Sequence, residues 1–151
     1  MKKLNSVSIS GFDVLPLVEG GKGVAVTNGS SAGAWASAGA VGTFSGVNAD
    51  SYDISGNVIP QIYKGRTRIE RHDELINYAI KGAIEQAQIA YEKASGRGPV
   101  HMNVLWEMAA AEKILNNEDS LKLDEMADKS IKAEKLKNKL TKISNILKTL
   151  K

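Results

Sequence analysis

Leu15-Pro16-Leu17-Val18-Glu19-Gly20-Gly21-Lys22-Gly23-Val24 is a short apolar run that breaks into three glycines within four residues. A small-residue helix from Ser31 to Ala38 follows, and then a second apolar run, Gly39-Ala40-Val41-Gly42-Thr43-Phe44. Strand, Gly-rich loop, helix, strand is the pattern of an α/β protein that brings its backbone close to a flat or phosphorylated ligand.

The same pattern continues to about residue 115. Val14 to Glu19 reads as a buried strand, with Pro16 placing it at a sheet edge or near the strand's start. Gly20 to Gly29 is the loop, Ser30 or Ser31 the expected helix N-cap, and Gly39 the residue that ends the helix. Val41 to Phe44 is the second strand, and Ser45 to Gly65 a long connection rich in Gly, Asn, Asp and Ser. In Arg66 to Ala94 the apolar residues Leu75, Ile76, Ala79, Ile80, Ala83, Ile84, Ala87 and Ala90 recur at helical spacing. Gly96-Arg97-Gly98-Pro99 stops that helix. Val100 to Trp106 is a third strand and Glu107 to Leu115 a third helix. The order is β-α-β-α-β-α, with helical crossovers that imply parallel pairing.

The composition breaks sharply near Asn116. All 14 glycines, all 3 prolines and every aromatic residue precede it. From Asn116 to Lys151, nine lysines stand against six acidic residues, so this tail holds the whole net charge of +3. Two units are therefore expected, residues 1–115 and a lysine-rich helical tail, 116–151. Within the tail, Ala133, Leu136, Leu140, Ile143, Leu147 and Leu150 form a seam at alternating spacings of three and four. The seam reads either as a partner or coiled-coil helix or as a solvated amphipathic helix packed on the body.

Several chemistries are excluded or unsupported. There is no cysteine, so disulfides, thiolate metal sites and cysteine nucleophiles are ruled out. No run of eighteen apolar residues occurs, and the first ten residues alternate polar and apolar without the apolar core of a signal peptide. A cytoplasmic protein with no membrane and no nucleic-acid partner is the expectation. Two histidines and no clustered carboxylates mark no metal site, and no G-x-S-x-G elbow is present.

Gly20, Gly21, Lys22 and Gly23 match neither the dinucleotide fingerprint nor the P-loop. They form either an ordinary βα turn or a loop whose backbone N–H groups meet a ring or an anion. His101 and Asn103 alternate on one strand, so they share a face and either bind a ligand or satisfy one another. Trp35 and Trp106 are expected in the core or at its rim. Glu19 and Glu107 fall at strand ends, and His72 on a solvated helix face.

Pro16-Leu17-Val18-Glu19-Gly20-Gly21-Lys22-Gly23, taken with Ala38-Gly39-Ala40-Val41-Gly42-Thr43-Phe44-Ser45, resembles the opening of the nitronate monooxygenase family, once called 2-nitropropane dioxygenases. The likeness extends through Glu70-Arg71-His72-Asp73-Glu74-Leu75-Ile76 and Arg97-Gly98-Pro99-Val100-His101-Met102-Asn103-Val104-Leu105-Trp106-Glu107-Met108, covering about residues 8–115. It implies an FMN-binding TIM-type (β/α)₈ barrel that oxidises alkyl nitronates with O₂. Gly20, Gly21, Lys22 and Gly23 would form the first flavin-contacting loop. The family's Asn at the end of the third strand corresponds to His101 or Asn103, with Asn103 the favoured match. Lys22 stands where many members have Met. A complete barrel takes roughly 250 residues in eight βα units, against three units here. The resemblance therefore implies an N-terminal portion of an FMN-dependent oxidoreductase. The family's catalytic histidine and FMN-phosphate loops lie beyond the match, so no catalytic residue is assigned, and weak or no activity is expected of the chain alone. The other reading is a non-catalytic interaction protein, or a decayed fragment, that self-associates or pairs with a complementary barrel fragment.

Overall fold

The computed structural model describes residues 4–23, 26–47, 49–50, 53, 55, 57–107 and 109–116. The expected helix of the tail and its seam lie outside these residues, apart from Asn116. The described part is a mixed α/β structure with three helices and two small sheets. No helix among these residues is long and apolar enough to cross a membrane.

The chain opens with an antiparallel hairpin that the sequence reading did not anticipate, β1 (Val7–Ile9) and β2 (Phe12–Val14). Its two-residue turn is Ser10-Gly11, with φ of 50° and 78°. Positive φ at both central positions is the turn whose twist matches paired strands.

The first parallel strand was expected over Val14 to Glu19 but is reduced to a single bridge, Val18 to Val41. Pro16 has no N–H to give, and Leu17 N turns back onto Leu15 O at 2.7 Å. On either side of this interruption the segment still bonds its neighbour. Leu15 N reaches Gly39 O at 2.7 Å, and Val41 N reaches Leu17 O at 2.9 Å.

Helix α1 (Gly29–Ser37) is capped by Asn28, not by Ser30 or Ser31. Asn28 Oδ1 accepts from Ser31 N, and the Ser31 side chain returns a bond to the Asn28 backbone, so serine is the third residue of a capping box. Gly39 closes the helix at φ 81°. Its N–H bonds Ala36 O and that of Ala40 bonds Trp35 O, the paired bonds of a Schellman ending.

Strand β3 (Gly42–Ser45) pairs in parallel with β4 (Val100–Asn103), with Thr43 opposite His101 and Ser45 opposite Asn103. Helix α2 (Arg68–Ala94) joins them. The third strand thus stops at Asn103, three residues before the expected end, and the third helix shrinks to α3 (Ala111–Leu115). Trp106 lies in the intervening turn at 73% exposure, so it is not a core residue, while Trp35 sits at the rim at 40%.

One face of β3–β4 packs on the helices. Phe44 clusters with Ala32, Ala87 and Ala90, with Val100 and Met102 beside them. A second cluster, Ile76, Ala79, Ala83, Ala110 and Ile114, holds α3 against α2. The alanines bring the helices close. A Cβ at Gly42 would strike the Ala32 carbonyl, so only glycine lets α1 lie this near the strand.

Candidate functional site at the strand ends

The strand face opposite the helices is polar. Register places Thr43, Ser45, His101 and Asn103 together on it, because side chains of parallel-paired residues share a side. Thr43 and Ser45 are buried there, and Glu19 joins them at 8% exposure. Glu19 Oε2 accepts from Thr43 N at 3.2 Å, while Glu19 N bonds Val41 O at 2.9 Å. This carboxylate therefore bridges the interrupted first strand to β3.

The glycine loop folds across the carboxyl ends of the strands. Lys22 N donates to Thr27 Oγ1 at 3.0 Å, and Thr27 N returns to Lys22 O at 3.3 Å, closing the loop on itself. Ser45 N then donates to Thr27 O at 2.9 Å, which fastens the closed loop to the end of β3. Beyond it, Gly46 N bonds Asn103 O at 2.8 Å.

Asn103 makes the contact that assembles the site. Its Nδ2 donates to Gly21 O at 3.0 Å across 82 residues of chain. A Cβ on Gly21 would collide with the Asn103 side chain, so glycine is needed there for the close approach of the loop to β4. Gly20 differs: a Cβ there would meet nothing within 4 Å, and its backbone borders open space. Lys22 and Gly23 are exposed, and the nearest atoms to a Cβ on Gly23 would be Ser45 Oγ and Val47 Cβ at 3.9 Å.

His101 does not join this group. Its Nε2 shares a hydrogen bond of 3.0 Å with Ser10 Oγ, in the turn of the amino-terminal hairpin. The hairpin thus reaches β4 two residues before its end, while the glycine loop meets it at the end. Of the six sequence-proposed residues, Gly20, Gly21, Lys22, Gly23 and Asn103 gather at the carboxyl ends, and His101 faces the hairpin. Glu107 is exposed in the turn after β4, and His72 is exposed on α2.

Two residues of the assembly, Thr27 and Ser45, drew no functional notice in the sequence. Their signal was weak, since single hydroxyls in a Ser/Thr-rich stretch rarely stand out. Among the described residues no group of three or more His, Cys, Asp or Glu could hold a metal.

Comparison of the chain with family models, curated proteins and solved structures gave no match.

Proposed function

We propose that this chain is the N-terminal portion of an FMN-dependent, nitronate monooxygenase-like (β/α)₈ barrel, with the loop Gly20–Gly23 as its first flavin-facing segment. The observation that carries the reading is the Asn103–Gly21 hydrogen bond. It pins a glycine loop over the carboxyl ends of parallel strands, where α/β proteins hold their ligands. The residues suit a flat cofactor, because the Gly20 backbone borders open space with no side chain to block approach. FMN, when bound, supplies the redox chemistry by which a nitronate is oxidised at the expense of O₂.

This chain's own residues position and exclude. Asn103 fixes the Gly21 carbonyl, Thr27 fixes the Lys22 backbone, and Ser45 fixes Thr27. The loop is therefore preorganised before a ligand arrives, which lowers the ordering cost of binding. Lys22, exposed at the loop, adds a positive charge suited to an anionic nitronate. Phosphate binding and proton removal are assigned to groups this chain does not itself supply, so the chain alone is expected to oxidise nitronates weakly or not at all. A cytoplasmic setting belongs to the same reading.

An FMN titration of the purified chain, followed by flavin fluorescence, tests it. Saturable binding that weakens in Gly20→Val and Asn103→Leu would support the loop assignment. Binding that neither change affects would overturn the loop assignment, and no binding by the soluble chain would show that the loop alone makes no flavin half-site.

A second reading, an interaction protein, draws on β4. That strand is hydrogen-bonded to a neighbour on one side only among the described residues, and Leu105 and Trp106 beside it are exposed. An open strand edge invites pairing with another chain. Light scattering tests its self-association arm: a monomeric mass at all concentrations would remove pairing of the chain with itself.

A further inference from the structure

Away from the strand ends, the segment before α2 forms a concave site with the helix. Ile62 and Lys64 make one wall; Glu74, Asn77, Tyr78 and Lys81 make the other, bordering an open groove of about 330 Å³. The four helical residues fall at i, i+3, i+4 and i+7, a single stripe of α2. No residue of the glycine loop takes part.

Three contacts hold the walls apart at a fixed spacing. Both Glu74 carboxylate oxygens accept from the backbone N–H groups of Lys64 and Gly65, at 3.0 to 3.2 Å. The Tyr78 hydroxyl donates to Ile62 O and accepts from Ile62 N, both at 3.2 Å. Arg71 Nε donates to Gly65 O at 3.0 Å. The Tyr63 ring stands edge-on to Tyr78 at 5.8 Å and 71°, which supports that ring from beside it. The groove is thus formed in advance, with the Glu74 carboxylate already engaged by backbone donors.

What remains to meet a ligand is an apolar surface, from Ile62 and Tyr78, together with two exposed lysines of the lining, Lys64 and Lys81. Asn77 adds a neutral donor and acceptor. We propose that this groove binds a small amphipathic organic anion: a planar apolar body against Tyr78 and Ile62, with its carboxylate or phosphate between the two lysines. The volume lies at the small end of ligand sites and suits a compact molecule. The site is independent of the flavin reading and stands or falls without it.

The test is a titration of the isotope-labelled full chain with 2-naphthoate, followed by amide shifts in NMR spectra. Saturable shifts centred on Ile62, Lys64, Asn77, Tyr78 and Lys81 are expected. The double variant Lys64→Gln/Lys81→Gln should weaken binding about tenfold, since two partly exposed ion pairs are lost. 2-Naphthamide, of the same shape but neutral, should bind the unaltered chain more weakly by a similar factor. Shifts centred elsewhere, no saturable shifts, or equal affinity for the acid and the amide would overturn the proposal. The amide comparison needs no variant, so it decides the matter even if the double substitution perturbs folding.

Discussion

The two faces of the β3–β4 pair carry alternate residues of the same eight-residue ladder and have opposite characters. Toward the helices stand Gly42, Phe44, Val100 and Met102, sealed by alanines of α1 and α2. Toward the other side stand Thr43, Ser45, His101 and Asn103, each of them a polar side chain. The first face is satisfied by packing alone, which has no direction and needs only volume and closeness. The second must be satisfied by named partners, and its hydrogen bonds reach residues far along the chain, Ser10 and Gly21. Closeness builds the body, and direction builds the site.

Substitutions on the helix-facing side should therefore cost stability and those on the polar side binding. The largest effect is expected at Gly42. A valine there drives its side chain into the Ala32 backbone, which cannot move without displacing α1. Loss of about 3 kcal/mol or more is expected, read as failure of cooperative urea unfolding. Phe44→Ala is next. The ring is 2% exposed, and its removal should cost about 3 kcal/mol by leaving a cavity. If either variant unfolds like the unaltered chain, the helix-facing side is not the core described above.

Asn103→Leu tests the other face. Its amide is only partly buried, so about 1 kcal/mol of stability is expected to go with the lost bond to Gly21. The loop it pins should loosen, seen as faster amide exchange at Gly21 to Gly23 with β3 unchanged. Equal exchange in both proteins would mean that the Lys22–Thr27 closure holds the loop unaided. His101→Gln should leave that exchange untouched, because His101 binds the hairpin.

The helix-facing side was legible in the sequence, and the polar side was legible only as residue types. Periodicity at three and four residues located α2 to within two residues of its start, since its ends are set by local caps: Thr67 with Glu70, and Ser95 in the left-handed region. Parallel pairing followed from the lengths of the crossovers. The N-cap of α1 was misplaced because Asn28, Ser30 and Ser31 are all competent caps, and only the reciprocal bond chooses among them. The hairpin was missed because alternation in Val7 to Ile9 was read only against a signal peptide, and Ser10-Gly11 was not weighed as a turn. His101 and Asn103 were paired by their spacing, which fixes a shared face but not a shared partner. Two residues of strand, about 6.6 Å, separate a hairpin contact from a loop contact.

The smallest effect lies at the start of α2, whose cap supports the helix-facing side without touching the polar one. Glu70 Oε2 accepts from Arg66 N at 2.7 Å and Thr67 N at 2.9 Å. The backbone N–H groups of Thr67 and then Arg66 favour its ionised form and hold the carboxyl below its ordinary value of 4.5. A lowered folded-state value means the contribution is complete above pH 4.5 and is lost as pH falls through the lowered value. Asp50 works with the opposite sign. Burial raises its carboxyl above 3.8, against an opposing backbone hydrogen bond, so its ionisation disfavours the fold as pH rises through that raised value. Comparing Glu70→Gln with the unaltered chain cancels the Asp50 part, and glutamine can still accept at the cap. Urea midpoints measured at falling pH should decline less steeply in Glu70→Gln, with the curves converging at the acid end. Amide exchange at Gly21 to Gly23 near neutral pH should be the same in both. Parallel urea curves would show that the Glu70 charge adds nothing to the cap. Altered exchange at those amides would show that the two faces are coupled through α2.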